Sequence, residues 1–221
     1  GYAALFIYDG PPEGNRGSET GSSITMNMVL RPGEAITWRW GHLSPAKYHG
    51  TDMPADVLVC NGLWEYNPDI IKDSILRKGA VSLSDIAFNS DYLSAAAGKN
   101  GIIIWKISSP YVFVGGHIEV KGNNVKFSTS YDQSTWKKLS GSSLDSIFPS
   151  NGKAYYHYFL KCELKANSRL SAIRIINDIQ MHSLNLPGIV VGNNYFKYTD
   201  ENSGERTVRI THEWIERSVS K

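Results

Sequence analysis

The chain has 221 residues, enough to bury a full hydrophobic core without the metal ions or disulfides on which smaller domains depend. Its 23 lysine and arginine residues nearly balance 21 aspartate and glutamate residues, and the net charge of +2 gives no reason to expect a nucleic acid partner. No run of about 18 apolar residues is present, so the sequence predicts no membrane span. The chain opens directly before an apolar run, residues 2–8, and we expect it to be a piece of a longer protein.

The first predicted elements are short strands. Residues 3–8 form one candidate, and the glycine-rich polar residues 13–23 predict a surface loop. Arg31-Pro32-Gly33-Glu34 has proline at the second position of a turn. The runs that flank this turn, Ile24–Leu30 and Ala35–Trp40, therefore predict a β-hairpin.

Residues 41–100 predict a long, loop-rich insertion with little regular structure. Gly41–Pro54 and Gly62–Asp69 are rich in rings and imidazoles but have no periodicity. Ile70–Gly79 predicts a short helix that Asp69 would cap. Long irregular segments inside a compact domain are usually functional or disordered, and the aromatic content argues against disorder.

The most regular part of the chain begins at Gly101. Gly115-Gly116 predicts a bend or bulge, and Gly122-Asn123-Asn124 and Asn167-Ser168 predict turns. Alternating runs between such turns predict core strands at Ile102–Lys106, Tyr111–Val114, Val125–Ser130, Tyr155–Leu164, Leu170–Ile179 and Val208–Trp214. The whole chain, 1–221, is therefore predicted to be a single all-β domain, an antiparallel β-sandwich of jelly-roll type with the loop-rich insertion at about 41–100.

Two cysteines, Cys60 and Cys162, do not make a disulfide framework. A core of this size needs no covalent staple, so we predict that no disulfide between them is required. Cys162 lies inside a strand pattern, where a thiol packs like a small apolar side chain.

A cluster of rings and imidazoles provides the candidate ligand site. Sugars stack their apolar C–H faces on flat rings, and polar side chains donate hydrogen bonds to the hydroxyls or accept hydrogen bonds from them. The candidate carbohydrate-binding residues are Trp38, Trp40, His42, Tyr48, His49, Trp64 and Tyr66. Trp64 and Tyr66 lie in a predicted loop and are expected to be exposed. The alternative is that the tryptophans belong to the core, because tryptophan is usually highly buried.

Catalytic and metal sites have weaker patterns. A polysaccharide lyase needs a base and a cation that neutralises a uronate carboxylate, roles open to His42, Tyr48 or His49 with Arg39 or Lys47. Glu65 and Asp69 are the carboxylates that a glycosidase could use. An ordinary hydrogen-bonded loop explains the same residues, so no catalytic residue is assigned. His42, His49 and Asp52 lack zinc-motif spacing, and no oxygen-rich run surrounds Asp132, so no metal or other cofactor is predicted.

Two patterns carry a family resemblance. Ser128–Trp136, STSYDQSTW, resembles the S-x-D-G-x-x-W hairpin of discoidin-like (coagulation factor 5/8 type) sandwiches, with Gln133 where that pattern often has glycine. More broadly, segments from Met26 to Trp214 resemble the C-terminal β region of large secreted bacterial proteins that degrade polysaccharides. The shared features are turns and core residues, and the resemblance transfers no catalytic residue.

The resemblance implies a non-catalytic, carbohydrate-binding or buttressing module of a secreted or periplasmic glycan-processing protein. Its partner would be a carbohydrate or a neighbouring catalytic domain. The alternatives are a polysaccharide lyase or glycoside hydrolase with its site in residues 38–69, and a structural protein-interaction domain. Fold alone does not separate these classes, whereas the exposure of the rings does.

Overall fold

The computed structural model describes residues 30–45, 47, 58–150 and 153–181; for 38–45, 58–60 and 181 it describes the backbone only. The elements follow in chain order, and nearly all are strands. They are β1 (Glu34–Pro45), β2 (Leu58–Tyr66), α1 (Asp73–Gly79), β3 (Ser82–Ser84), β4 (Ile86–Phe88), β5 (Leu93–Ala95), β6 (Gly101–Ser130), β7 (Lys137–Lys138), a 3₁₀ turn (Asp145–Ile147) and β8 (Tyr155–Met181). The predicted all-β class is confirmed.

The described strands form one curled antiparallel sheet, dominated by the two long strands β6 and β8. One half, ladder A, has the order β1, β2, residues 172–180 of β8 and residues 112–121 of β6. The other half, ladder B, has the order β3, residues 101–108 of β6, residues 157–164 of β8, residues 125–130 of β6, and β7. β6 and β8 thus take part in both halves. The jelly-roll arrangement of two packed sheets stays a prediction.

The long strands bend where the residues permit it. Gly116 has a φ of 143°, which favours glycine, and the register shifts just before it, so the predicted bulge is present. The bends at residues 122–124 and 165–169 contain Asn124 and Asn167, whose φ values of 54° and 66° lie in the left-handed region that asparagine tolerates. These bends turn each strand from one ladder into the other.

The curl encloses a single hydrophobic core. Alternate residues of ladder B, among them Ile103, Trp105 and Leu160, are fully buried, as strand periodicity requires. Ladder A contributes Phe113, whose ring meets that of Tyr158 edge-on with centroids 5.7 Å apart. Five predicted core strands fall within β6 and β8; the sixth, Val208–Trp214, lies outside the described residues.

The predicted turn at Arg31–Glu34 is also present. The Glu34 N–H donates to the Arg31 carbonyl at 2.9 Å, and Gly33 has a φ of 87°. The predicted hairpin partner, Ile24–Leu30, lies almost wholly outside the described residues. The pairing of that segment stays a prediction, and β1 pairs with β2, so that Glu34 faces Tyr66.

The region predicted as loop-rich holds several regular elements. The prediction of a loop at Gly62–Asp69 is wrong, because its first five residues belong to β2, where Gly62, Trp64 and Tyr66 alternate as buried positions. The helix is present but begins at Asp73, and its N-cap Lys72 makes no side-chain capping bond. Asp69 pairs with Lys72 instead of capping the helix.

Candidate functional site

Of the predicted ring residues, the structure shows the side-chain burial of Trp64 and Tyr66. Trp64 and Tyr66 are 2% and 0% exposed, so the prediction that they are exposed is wrong. β2 lies between β1 and β8, and this central position turns its alternate side chains into the core. The backbones of Trp38, Trp40 and His42 lie in β1, whereas Tyr48 and His49 lie outside the described residues. The cluster cannot be assembled from described side chains.

The residues proposed for catalysis have structural partners where they are described. Lys47 donates its backbone N–H to Gln180 Oε1 at 2.6 Å and its ammonium to the Val114 carbonyl at 2.5 Å, and so bridges β8 and β6. Glu65 forms an ion pair with Arg174, and Asp69 forms one with Lys72. Both carboxylates of the candidate glycosidase pair therefore form ion pairs with basic side chains.

Asp132 organises the turn that carries the family resemblance. Its Oδ1 accepts hydrogen bonds from the N–H groups of Thr135 at 2.9 Å and Ser134 at 2.8 Å, and from the Ser130 hydroxyl at 2.9 Å. These bonds, with that from Thr135 the strongest cause, hold the pKa of the carboxyl well below its usual range. Gln133 has a φ of 62°, the left-handed conformation expected where the pattern has glycine. Within the described residues, no group of three or more His, Cys, Asp or Glu side chains could hold a metal ion.

An open cavity of about 430 Å³ lies at the end of the sheet where both long strands bend. We call it the turn cavity. Three separate segments form it: the start of β5, the bend of β6 and the bend of β8. Its lining consists of Tyr92, Ser94, Ala95, Asn123, Asn167, Ser168 and Arg169.

Hydrogen bonds hold the two bends against each other. The buried Ser168 hydroxyl donates to the Asn124 carbonyl at 2.6 Å and accepts from the Lys165 N–H at 2.9 Å. A side chain at Gly122 would overlap the Arg169 carbonyl oxygen, so glycine allows the bends to approach. This packing places the amides of Asn123 and Asn167 on one wall of the cavity.

The opposite wall comes from the turn before β5. The Asn89 N–H donates to the Tyr92 carbonyl at 3.0 Å, and its side-chain amide donates to the Ser94 hydroxyl at 3.1 Å. Leu93 pairs with Leu170 of β8, which places Tyr92 beside Arg169. The Arg169 guanidinium lies over the Tyr92 ring, 4.7 Å from its centroid.

The lining of the turn cavity can make both stacking and hydrogen-bond contacts. It combines one partly exposed phenol ring, two exposed carboxamides with no hydrogen-bond partner among the described residues, two serine hydroxyls and one guanidinium. Among the described residues that line it, Arg169 is the only charged one, and none is a carboxylate. These side chains can stack on a ligand, donate hydrogen bonds and accept them.

The sequence indicates the bends but not the cavity. It predicts turns at Gly122–Asn124 and Asn167-Ser168, and the segment that contains Tyr92 has no predicted role. The feature of the sequence that points to the cavity is the presence of asparagines at both turns. That they share one cavity with a tyrosine follows from the β5–β8 and β6–β8 pairings, which periodicity does not reveal.

Cys162 is a free, buried thiol, and burial is the main cause that raises its pKa. Such a thiol is a weak nucleophile, in keeping with a packing role. No helix in the described part of the chain is long and apolar enough to cross a membrane.

Comparison with known proteins adds no relative. No family model matches the chain, and no curated protein and no solved structure is similar to it at a significant level.

Proposed function

We propose that the chain is a non-catalytic carbohydrate-binding module and that the turn cavity is its sugar site. The observation that carries the proposal is the convergence of the Tyr92 ring, two asparagine amides and Arg169 on one open cavity. A pyranose has the complementary chemistry, with an apolar face for the ring and hydroxyls for the amides. Its setting in a secreted or periplasmic glycan-processing protein, of bacterial type, is part of the same proposal and is supported by the sequence resemblance alone.

The fixed geometry of the cavity favours binding. Asn123 and Asn167 lie on bends that the Ser168 hydrogen bonds and the β6–β8 pairing hold in place. The backbone of the site therefore loses little conformational freedom when a ligand enters, and only the side chains have to be ordered. The side chains of a mobile loop would lose more, and the sugar would bind more weakly.

A glycan array with the purified chain, followed by calorimetry on any glycan retained, tests the proposal. Tyr92→Ala should weaken binding by about 1–3 kcal/mol, the scale of stacking on an aromatic ring. Tyr92→Phe keeps the ring and should retain most of the affinity. Asn123→Ala should cost about 0.5–1.5 kcal/mol for its lost hydrogen bonds.

Asn100→Ala is the matched control, because Asn100 is an exposed asparagine that does not line the cavity. It should bind like the parent chain. Melting temperatures of all variants show whether a loss of affinity reflects loss of folding. The proposal is wrong if no glycan is retained, or if folded Tyr92→Ala binds as tightly as the parent.

A further inference from the structure

The two ladders differ in the charge of the faces that point away from the core. On ladder A, Arg174 pairs with Glu65 and Glu119 and so neutralises carboxylates of the two neighbouring strands. His117 also approaches Glu119, at 3.6 Å. On this face, the two glutamates therefore lie beside basic side chains that balance their charge.

The outer face of ladder B is predominantly basic. Burial alternates along its strands, so the positions between the core residues point outward. Four lysines occupy such positions, against one glutamate, Glu163. They are Lys106, Lys126, Lys138 and Lys161.

Most of these ammonium groups lack a counter-charge. Lys161 lies 3.6 Å from Glu163, whereas Lys106, Lys126 and Lys138 form no ion pair with any described residue. The pKa of His157, on the same face, is lowered mainly by burial and further by the positive charges of Lys106 and Lys153. The overall net charge of +2 conceals this local excess.

Aromatic surface accompanies the positive charge. Trp136 is partly exposed, and the Lys161 ammonium lies 4.5 Å from its ring centroid. Trp136 is held by a 3.0 Å hydrogen bond from its Nε1–H to the Gln133 carbonyl. A ring and a cation thus adjoin each other on a rigid sheet.

A depression of about 460 Å³ lies at the edge of this ladder, and Lys126 and Lys138 are among its lining residues. Its apolar residues Phe127 and Val120 pair with the buried Cys162 and Ile173, so they belong to the inner side of the sheet. The contacts that the outer face offers a ligand therefore come from its lysines and from Trp136.

We propose that the outer face of ladder B binds an anionic polysaccharide that carries carboxylate or sulfate groups along its length. This surface is separate from the Tyr92 ring and Arg169 of the turn cavity, and the proposal stands whether or not that cavity binds a sugar. Spaced ammonium groups match spaced anions, and the Trp136 ring matches a pyranose face between them.

The observations favour a polysaccharide over a nucleic acid. The face carries lysines and no arginine, whereas the arginine fork is the group best matched to phosphate and base edges. Its partly exposed rings include Trp136 and the imidazole of His157, which lie on different segments, whereas single-stranded nucleic acids bind to several successive rings. A broad sheet face also has no element that enters a duplex groove.

Binding of the purified chain to immobilised polymers tests the proposal. The probes are polygalacturonate, dextran sulfate, unsubstituted dextran and a single-stranded oligonucleotide with a comparable number of charges. At least one of the two acidic polysaccharides should bind, and which one shows whether carboxylates or sulfates are preferred. Unsubstituted dextran should not bind at this face. The affinity for the acidic polymers should fall as NaCl rises from about 50 to about 500 mM, because added salt shortens the Debye length and screens the attraction between charges.

Charge-reversal variants locate the site. Lys126→Glu combined with Lys138→Glu should weaken binding at least about tenfold, because two attractions become repulsions. The matched control is Lys121→Glu, since Lys121 is an exposed lysine of the same strand that lies in ladder A. It should change the affinity by less than about twofold, because a charge that lies away from the bound polymer is largely screened by salt.

Three outcomes would overturn the proposal. One is that neither acidic polysaccharide binds at low salt. Another is that the oligonucleotide binds more tightly than both, which would assign the face to nucleic acid. The last is that Lys121→Glu weakens binding as much as the double variant, which would show an effect of net charge alone. The charge-reversal variants leave the residues that line the turn cavity intact, so their effect is distinct from any sugar bound there.

Discussion

The Tyr158 hydroxyl donates a 2.8 Å hydrogen bond to Asn177 Oδ1, and both side chains are fully buried. Tyr158 belongs to ladder B and Asn177 to ladder A, so the bond crosses the core. Asn177 also donates to the Trp64 carbonyl at 3.2 Å. Burial raises the pKa of Tyr158 far above its usual value, so the phenol remains a neutral donor.

Removing either partner of this bond should destabilise the fold. Tyr158→Phe leaves the Asn177 carbonyl oxygen buried without its donor, at a cost of about 1–3 kcal/mol in the free energy of unfolding. Asn177→Ala should cost at least as much, because it also opens a cavity. In urea denaturation, the double variant should lose less than the sum of the single losses. Additive losses would show that the bond makes no net contribution.

Arg31 should be the most important surface-proximal arginine for stability. It bonds to Glu34 at 2.9 Å and to the carbonyls of Gly79 and Lys106 at 2.8 Å each, and it stacks on Tyr66 with Cζ 3.7 Å from the ring centroid. Arg31→Met removes all these contacts and should cost about 2–4 kcal/mol, as expected for a network of charged hydrogen bonds.

Arg77→Met is the control for that experiment. Arg77 forms an ion pair with Asp73 on the exposed surface of α1, at 2.8 Å. An exposed pair of this kind contributes about 0.3–0.5 kcal/mol. If both variants lose equally little in chemical denaturation, the network around Arg31 is not stabilising.

Two glycines with positive φ should respond differently to alanine. At Gly116, with φ 143°, a Cβ would overlap the Ile176 carbonyl, whereas at Gly98, with φ 70°, it would meet nothing within 4 Å. Gly98→Ala should therefore cost only the conformational strain, about 1–2 kcal/mol. Gly116→Ala should cost more than about 3 kcal/mol or prevent folding, because the ladder must shift. Thermal unfolding measures both, and a reversed order would contradict the assigned bulge.

The turn at Asp132 should make stability depend on pH in the acid range. Its pKa is lowered in the folded chain, so the ionised carboxylate stabilises the fold fully above the ordinary carboxyl pKa. That contribution is lost as pH falls through the lowered value. Asp132→Ala should lower the melting temperature at pH 7, and its deficit relative to the parent should shrink as pH falls below about 4. Equal deficits at pH 7 and pH 3 would argue against this role.

Alternation identified the core strands because their buried positions repeat every two residues. Ile103, Trp105 and Ile107, and then Leu160, Cys162 and Leu164, are all buried as the pattern indicates. The runs before and after Pro110 nonetheless belong to one strand, β6. The register shift between Ser108 and Val112 accommodates the proline, as bulges do.

The candidate site was harder to predict because its parts are distant in sequence. Tyr92, Asn123 and Arg169 meet only through strand pairing, and no local pattern encodes which strands pair. The prediction that Trp64 is exposed was wrong for a different reason. Its alternating stretch in β2 is short and begins at a glycine, so its composition resembled a loop.

The sharing of β6 and β8 between the two ladders has a consequence for unfolding. Residues 101–130 and 155–181 each run through both halves, and the two halves bury their side chains in one core, so opening one half would expose core surface of the other. The amide protons of Trp105 in ladder B and Ile175 in ladder A should therefore exchange with solvent through the same global opening. The described strands would therefore lose their structure as one cooperative unit.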